Sequence, residues 1–205
     1  MIRETIKKMA GVFGYEIRRA PPSNLPPTRV VVPGLDRIHY GCGDIYMPGW
    51  LNVDVRAVGN PPENYMDVNL VTRHPFPDSS FRFGFAQDFI EHIDQVDSIT
   101  FLAEAFRTLK SGGVLRVSFP GFEHVLHAHF PRPDFDTVLR GKHDAYDLHR
   151  HRHFYSRESL ALVARQIGYS IEFVEYGKSK YVELCGLDTR IEQISGNIRA
   201  ELTKP

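Results

Sequence analysis

Two glycines and one carboxylate near residue 40 carry the strongest chemical signal in the chain. The run His39-Tyr40-Gly41-Cys42-Gly43-Asp44 precedes the run Leu51-Asn52-Val53-Asp54-Val55, which together are typical of strand, glycine turn, short connection and strand. Gly41 and Gly43 allow a sharp turn and a close approach of the backbone to a ligand, because neither carries a Cβ. Asp54 would lie at the carboxyl edge of a parallel sheet, where a carboxylate accepts both hydroxyls of a ribose. The pattern predicts a site for a nucleoside-containing cofactor.

The kind of nucleoside follows from what the turn lacks. A dinucleotide fingerprint has a third glycine and an acidic residue roughly 20 positions further on, because a helix N-terminus must reach the pyrophosphate. Here Tyr46 takes the place of the third glycine, and Asp54 follows early, after a connection that contains Pro48-Gly49. This leaves little room for a phosphate-binding helix. The turn therefore disfavours an oxidoreductase and suits a cofactor without phosphate, for which S-adenosylmethionine is the obvious candidate.

Across about residues 37–120 the chain resembles the class I S-adenosylmethionine-dependent methyltransferases, type 11 branch. Besides the glycine turn, the resemblance rests on blocks at 65–70, 75–81, 85–93 (with a Glu-His pair) and 109–115, which occur in the family's order. It implies an α/β fold, a Rossmann-like sandwich with a mainly parallel seven-stranded sheet and an antiparallel C-terminal edge pair. It also implies that the cofactor is held by Gly41, Cys42, Gly43, Asp54, Asp67, Val68 and Gln87, with Asp67 at the adenine amino group.

The acceptor is indicated only by a family subset. The element Pro48-Gly49-Trp50 resembles a subset that is often associated with saccharide biosynthesis, although Arg82 stands where many relatives have Asp. This implies O-methylation of a saccharide or a glycan intermediate. Two alternatives stay open, namely methylation of another small molecule (a quinone, a phenol or a lipid-linked precursor) and a non-catalytic module that binds S-adenosylmethionine. The second alternative would predict a damaged glycine turn or a lost ribose carboxylate, and neither is seen.

The elements that must position these residues follow from periodicity and breakers. Strands are predicted at 37–40, 51–55, 65–69, 83–87 and 114–119. A helix at 97–109 carries Ile99, Leu102, Ala103, Phe106 and Leu109 as its buried stripe, and 110–113 is predicted to end it with a glycine C-cap. A second helix at 156–167 ends at Gly168, and 169–176 pairs with 198–203 at the sheet edge. Alternating strands and helices predict a parallel sheet with ligands at its carboxyl edge.

The segment 121–155 interrupts this alternation and contains seven of the ten histidines. An insertion after the fifth strand would lie over the reactive methyl group, so it is predicted to shape the acceptor pocket. The candidate acceptor contacts are His124, His149, His151, His153 and Arg152. In an extended segment the last three histidines would share one face, which would also suit a metal. Their spacing is not a recognised zinc pattern, and no metal site is predicted.

Two residues after the fourth strand are candidates for the general base that a sugar hydroxyl requires. Asp88 is expected near the methyl group, and His92 lies one helical turn further on. Asp88 could instead orient the methionine amino group or cap the next helix. His92 could instead be a structural hydrogen-bonding residue.

The bulk properties fit one α/β domain with an appendage. The methyltransferase domain is predicted at 28–205, preceded by an amphipathic helix and a Pro-rich linker at 1–27. This helix could contact a membrane surface or a partner, or dock on its own domain. A formal net charge of +0 offers no electrostatic case for nucleic-acid binding. Two cysteines, no signal peptide and no apolar run of membrane-spanning length predict a cytoplasmic protein.

Overall fold

The structure, a computed structural model, describes residues 34–205. The predicted helix and linker at 1–27 lie outside the described residues, as do the first positions of the predicted domain. The boundary between appendage and domain therefore stays a prediction.

Within the described residues, seven strands form one sheet in the order β3-β2-β1-β4-β5-β7-β6. The strands are β1 (Arg37–Tyr40), β2 (Leu51–Asp54), β3 (Tyr65–Asp67), β4 (Phe81–Gln87), β5 (Leu109–Pro120), β6 (Ser170–Phe173) and β7 (Asn197–Thr203). The first five strands pair in parallel, whereas β7 runs antiparallel to both β5 and β6. The predicted mainly parallel sheet with an antiparallel C-terminal edge pair is confirmed.

The helices lie between the strands as the alternation predicts. They are α1 (Gln95–Thr108), α2 (Phe122–His129), α3 (Phe135–Lys142) and α4 (Arg157–Ile167), and a π-helical turn follows α3 at His143–Asp147. At the start of α4, the Ser156 hydroxyl accepts from the Ser159 backbone N–H, which completes a capping box. Gly168 ends this helix with a left-handed φ of 119°, the conformation for which glycine has no Cβ penalty. The predicted bounds of α4 are therefore confirmed.

The end of α1 differs from the prediction. No glycine caps this helix, because Leu109 is already extended and begins β5. Residues 110–113 instead form an irregularity in the strand, where Gly112 has φ 74° and its N–H donates to the Lys204 carbonyl. The buried stripe of α1 is also shifted: Ile99 is exposed, and the buried residues are Ser98, Phe101, Leu102, Ala105 and Thr108.

Both faces of the sheet are covered by apolar side chains. One face packs against α1 and α4 and contains most of the core, including Phe101, Leu102 and Leu160. On the other face, Trp50 contributes to a smaller cluster with Phe83, Phe85, Val114 and Leu184. Gly84 and Ala86 alternate with these phenylalanines along β4, as expected for a strand with both faces buried.

Candidate functional site

The strand order reverses between β1 and β4, so a crevice opens at the carboxyl ends of these two strands. The turn after β1 contains Gly41, with φ 60°, and Gly43, with φ 55°. A Cβ on Gly41 would lie 2.5 Å from the ring of Phe89, which follows β4, whereas a Cβ on Gly43 would meet nothing within 4 Å. Gly41 thus allows the two strand ends to pack closely, and Gly43 faces open space in which a ligand can lie against the backbone.

Asp54 ends β2 and is directed at this turn. One carboxylate oxygen accepts the Gly43 N–H at 2.9 Å, and the other accepts the Val55 N–H at 2.6 Å. Each oxygen keeps a second lone pair, so the half-buried carboxylate can still accept hydroxyl groups of a ligand. The structure thus brings the Asp54 carboxylate and the glycine turn, on which the predicted nucleoside site depends, within hydrogen-bond distance of each other.

Three of the other predicted cofactor residues, Cys42, Asp67 and Val68, lie in the same turn or beside Asp54. Asp67 is paired in register with Asp54 and accepts the Tyr65 hydroxyl at 2.8 Å. Val68 is buried, and its N–H donates to the Asp54 carbonyl at 2.7 Å. Cys42 is also buried, in the middle of the turn. Gln87, at the end of β4, accepts the Thr189 hydroxyl at 3.2 Å.

An aromatic pair beside Asp67 was missed in the sequence. The rings of Tyr46 and Tyr65 meet edge to face with their centroids 5.6 Å apart. The only signal in the sequence was Tyr46 itself, which stands where a dinucleotide turn would have its third glycine. The aromatic pair lies where a planar base could contact it.

Asp88 follows β4 in a left-handed backbone conformation, with φ 49°. A positive φ is uncommon outside glycine and marks positions that the surrounding structure holds in place. One Asp88 oxygen pairs with the Arg190 Nε at 2.9 Å, and the other accepts the Asn197 amide at 3.3 Å. Burial raises the pKa of Asp88, against the opposing effect of Arg190 and Asn197. The carboxylate is therefore oriented by two partners from the far end of the chain.

Beyond Asp88 lies a cavity of about 420 Å³. Its wall combines the residues after β4, the segment 121–155 and the residues that precede β7. Most of the lining side chains are charged or are imidazoles: Asp88, Glu91, His92, His124, His129, Asp144, His149, His151, Arg190 and Glu192. The insertion thus lines a cavity beside the carboxyl ends of β4 and β5, and its contact with an acceptor stays a prediction.

Not all of the predicted acceptor contacts reach this cavity. His124, His149 and His151 line it, whereas His153 and Arg152 do not. The Nδ1 of His153 binds the Ile93 carbonyl at 2.9 Å, and the exposed Arg152 lies 3.8 Å from Asp94. The expectation that three alternating histidines share one face is wrong, because the chain turns through a left-handed Arg150, with φ 59°, instead of running straight.

Glu91, His92 and His151 are brought together within the cavity. Glu91 is 1% exposed, and burial together with the neighbouring Asp88 raises its pKa well above the usual range. The rings of His92 and His151 lie 4.8 Å apart between centroids. Burial lowers the pKa of both imidazoles, that of His151 to about 4, so both are neutral at pH 7.

Arg190 and Asn197 are partners of Asp88 that the sequence did not reveal. Neither lies in a motif, and both are more than 100 positions from Asp88. Asn197 begins β7, and the antiparallel register places it opposite Pro120 at the carboxyl end of β5. In the sequence, only the antiparallel direction of β7 beside β5 could have placed Asn197 at the carboxyl end of the sheet, near Asp88.

Together, the sheet order, the glycine turn with its facing carboxylate and the antiparallel β7 define the class I S-adenosylmethionine-dependent methyltransferase fold. Residues 41–117 match the sequence model of a family described as "Methyltransferase domain", Methyltransf_11. The described residues therefore have the fold of class I S-adenosylmethionine-dependent methyltransferases, and the methyltransferase-domain match at 41–117 indicates S-adenosylmethionine as the cofactor.

Solved structures share this fold at low sequence identity. A Haloferax volcanii putative methyltransferase complex with the Trm112 activator matches with a TM-score of 0.57, 14% identity and 82% of each chain covered. A Mesorhizobium loti S-adenosylmethionine-dependent methyltransferase matches with a TM-score of 0.55, 16% identity, and 88% of this chain and 94% of that chain covered. A Thermotoga maritima protein described as a possible histamine N-methyltransferase has a TM-score of 0.52, 18% identity, and coverages of 99% and 95%.

A search of curated proteins finds no match. Among residues 34–205, no helix has both the length and the apolar character needed to cross a membrane.

Proposed function

We propose that the protein transfers a methyl group to a hydroxyl of a saccharide or glycan intermediate. The supporting observation is the polar lining of the cavity beside Asp88. The volume of about 420 Å³ is within the range of small-molecule sites, about 300–1,000 Å³. A quinone or lipid-linked acceptor would favour apolar walls, but the cavity offers few apolar side chains, chiefly Val125 and Phe154. Hydroxyl groups of a sugar can pair with the many carboxylates and imidazoles.

The residues around the glycine turn fit the cofactor. In this proposal Asp54 binds the ribose hydroxyls, Asp67 contacts the adenine amino group, and the backbone near Gly43 approaches the nucleoside. Gln87 and Asp88 lie towards the methionine end, between the turn and the cavity. When bound, the cofactor supplies an electrophilic methyl on a sulfonium, whose C–S bond breaks with its electron pair remaining on sulfur.

The chain supplies alignment and a base. The cavity holds one acceptor hydroxyl in line with the methyl group, which removes much of the entropic barrier. As the new O–C bond forms, the hydroxyl proton passes to Asp88, which Arg190 and Asn197 hold in place. His92 is the second candidate for this proton, since its neutral imidazole lines the same cavity.

Labelled methyl transfer tests this proposal. The protein is incubated with S-adenosylmethionine carrying a labelled methyl group and, separately, with nucleotide sugars, oligosaccharides, phenols and quinols. We expect label on the sugars, at a base-stable ether oxygen. Label only on phenols or quinols would contradict the saccharide proposal and leave the methyltransferase class intact. A matched control uses Asp54→Asn, which should lose transfer to every acceptor.

A further inference from the structure

The side chain of Glu91 is buried without a compensating partner. Neither carboxylate oxygen has a hydrogen-bond partner among the described residues, apart from a favourable interaction with its own backbone N–H. An ionised carboxylate in such a place requires a positive charge close by. The nearest guanidinium in the cavity, Arg190, is already paired with Asp88. A cation bound at this position would supply that charge and would stabilise the ionised form of Glu91, which burial otherwise disfavours.

The neighbouring imidazoles are oriented as metal ligands. The Nδ1 of His151 lies 2.8 Å from the Ala145 carbonyl, so it must carry the proton, and its Nε2 keeps a free lone pair. His92 likewise has a hydrogen bond to the backbone of Arg150. Histidines that bind metals usually donate their second ring N–H to a carbonyl or a carboxylate, which fixes the tautomer. Both rings meet this condition.

The three side chains also converge in space. One ligand atom from each of Glu91, His92 and His151 lies within 4.8 Å of the other two. Tetrahedral ligand atoms with metal–ligand bonds of about 2.0–2.2 Å lie about 3.3–3.6 Å apart, so the largest of these separations would shorten by about 1.2–1.5 Å through side-chain rotation when a metal binds. His92 is exposed to the cavity, so open coordination positions would face the acceptor.

We propose that Glu91, His92 and His151 form a binding site for a divalent transition-metal ion in the wall of the cavity. Two imidazoles and one carboxylate suit Zn²⁺, Mn²⁺ or Fe²⁺ better than Mg²⁺ or Ca²⁺, which prefer oxygen ligands. The proposal departs from the sequence-based expectation, which considered only the alternating histidines and predicted no metal. Glu91 is the ligand that this expectation omitted.

The catalytic part of this inference rests on the proposed function, whereas the binding part does not. A metal with open positions can bind an acceptor hydroxyl and lower its pKa. The hydroxyl proton then passes to Asp88, whose backbone and partners keep it outside the three ligands. His92 would be a ligand in this arrangement and not a base.

The test measures metal binding directly. Untagged protein is stripped with a chelator and titrated with Zn²⁺, Mn²⁺ and Mg²⁺ by calorimetry, without cofactor or acceptor. We expect one Zn²⁺ or Mn²⁺ per chain and weaker binding of Mg²⁺. Glu91→Gln and His151→Ala should each weaken binding at least about tenfold, since loss of even an outer partner has this effect. The matched control is His127→Ala, an exposed histidine of α2 outside the cavity lining, which should bind like the parent.

Thermal unfolding provides a second readout that does not depend on activity. Glu91→Gln keeps the shape of the buried side chain and cannot ionise, so the metal-free variant should be about as stable as the metal-free parent, in which burial already disfavours the charged form of Glu91. The parent should gain stability on adding Zn²⁺ or Mn²⁺, and the variant should lose this gain. The proposal is overturned if the stripped parent binds none of these ions at micromolar concentration, or if Glu91→Gln and His151→Ala bind as tightly as the parent. Failure of sugar methylation alone would count against the proposed function and leave the metal site standing.

Discussion

At the scale of single residues, Asp88 connects the cofactor crevice with the cavity. Its backbone is left-handed, and Arg190 and Asn197 hold its carboxylate in the wall of the cavity. A carboxylate that merely capped the next helix would face that helix. The 3₁₀ turn that follows at Ile90–His92 begins after Phe89 without a side-chain cap, and Asp94, not Asp88, precedes α1 directly. The helix-capping alternative is thus disfavoured, and two roles remain, as general base or as partner of the methionine ammonium.

Asp88→Asn separates these roles. Asparagine tolerates a positive φ, so the backbone should keep its conformation while the negative charge and the basicity are lost. If Asp88 is the base, saturated turnover should fall by about 100-fold or more and the calorimetric affinity for S-adenosylhomocysteine should barely change. Weakened affinity with little loss of saturated turnover would assign the residue to the ammonium group instead. Asp94→Asn, an exposed carboxylate on the same segment, should change neither quantity.

His74 predicts a pH dependence that is unrelated to catalysis. It is 0% exposed, lies between the rings of Tyr40, Phe76 and Phe101, and burial lowers its pKa from 6.5 to about 4. Because the unfolded chain binds the proton more tightly, stability is complete above pH 6.5 and is lost as the pH falls towards 4. The shift corresponds to a loss of about 3 kcal/mol across this window.

His74→Phe tests this prediction. The variant keeps an aromatic ring and cannot be protonated, although it loses the hydrogen bond to the Leu70 carbonyl, worth about 1 kcal/mol. The free energy of unfolding in urea is measured for parent and variant at pH 7 and pH 4.5. Subtracting the change of the variant from that of the parent cancels the contributions of all other titrating groups. The parent should lose more stability than the variant between the two pH values. Equal losses would show that His74 does not titrate in this range.

At the scale of the elements, a buried charge network connects β5, β7 and the loop between β6 and β7. Arg116 is 0% exposed, and its guanidinium pairs with Asp188 and, at 3.0 Å, with Glu201. It also donates to the Lys178 carbonyl at 2.7 Å. The network fixes the loop that carries Arg190 to the sheet. It thereby positions one wall of the cavity.

Arg116→Met should therefore destabilise the protein strongly. The variant leaves Asp188 and Glu201 buried without their guanidinium partner, and loss of one member of such a pair costs about 3–5 kcal/mol. Arg82→Met, an exposed arginine on β4, serves as the control and should change the free energy of unfolding by less than about 0.5 kcal/mol. Chemical denaturation measures both changes. A loss below about 1 kcal/mol for Arg116→Met would show that methionine packing replaces the ion pairs.

At the scale of the whole molecule, the cofactor crevice and the cavity are neighbouring compartments of one sheet edge. Ligands of the folded state raise its stability by mass action, so S-adenosylhomocysteine should raise the thermal midpoint. At 100 times its Kd the gain is about 2.7 kcal/mol. NAD should give no such shift, because the turn after β1 has no room for a pyrophosphate helix.

Asp54→Asn locates this effect at the predicted ribose site. The amide keeps one acceptor oxygen but loses the charge that strengthens hydrogen bonds to hydroxyl groups. The variant should lose most of the shift that S-adenosylhomocysteine produces. Asp67→Asn is the comparison variant and should lose less of this shift, because Asp67 is exposed and already accepts a hydrogen bond from Tyr65. A full shift in Asp54→Asn, or a larger shift with NAD, would contradict the assignment of the crevice residues.

Local patterns in the sequence were sufficient for much of the fold. The turn at Gly41 and Gly43 and the strand end at Asp54 were placed correctly because both are features of consecutive residues, and their contacts with the cofactor stay a prediction. The bounds of α4 were found for the same reason, since its capping residues lie at its own ends. The end of α1 was misjudged, because Gly112 belongs to a strand irregularity that is held by Lys204, more than 90 positions away.

Only the tertiary structure decided how the cavity is assembled. The burial of Glu91, the pairing of Asp88 with Arg190 and Asn197, and the exclusion of His153 depend on contacts between segments that are distant in sequence. A local pattern shows which residue types are present and how often they recur. It does not show which charged side chains are buried away from water. Desolvation makes Glu91 and its two histidines a candidate metal site, and it arises only when β4, the insertion and the start of β7 close around the same space.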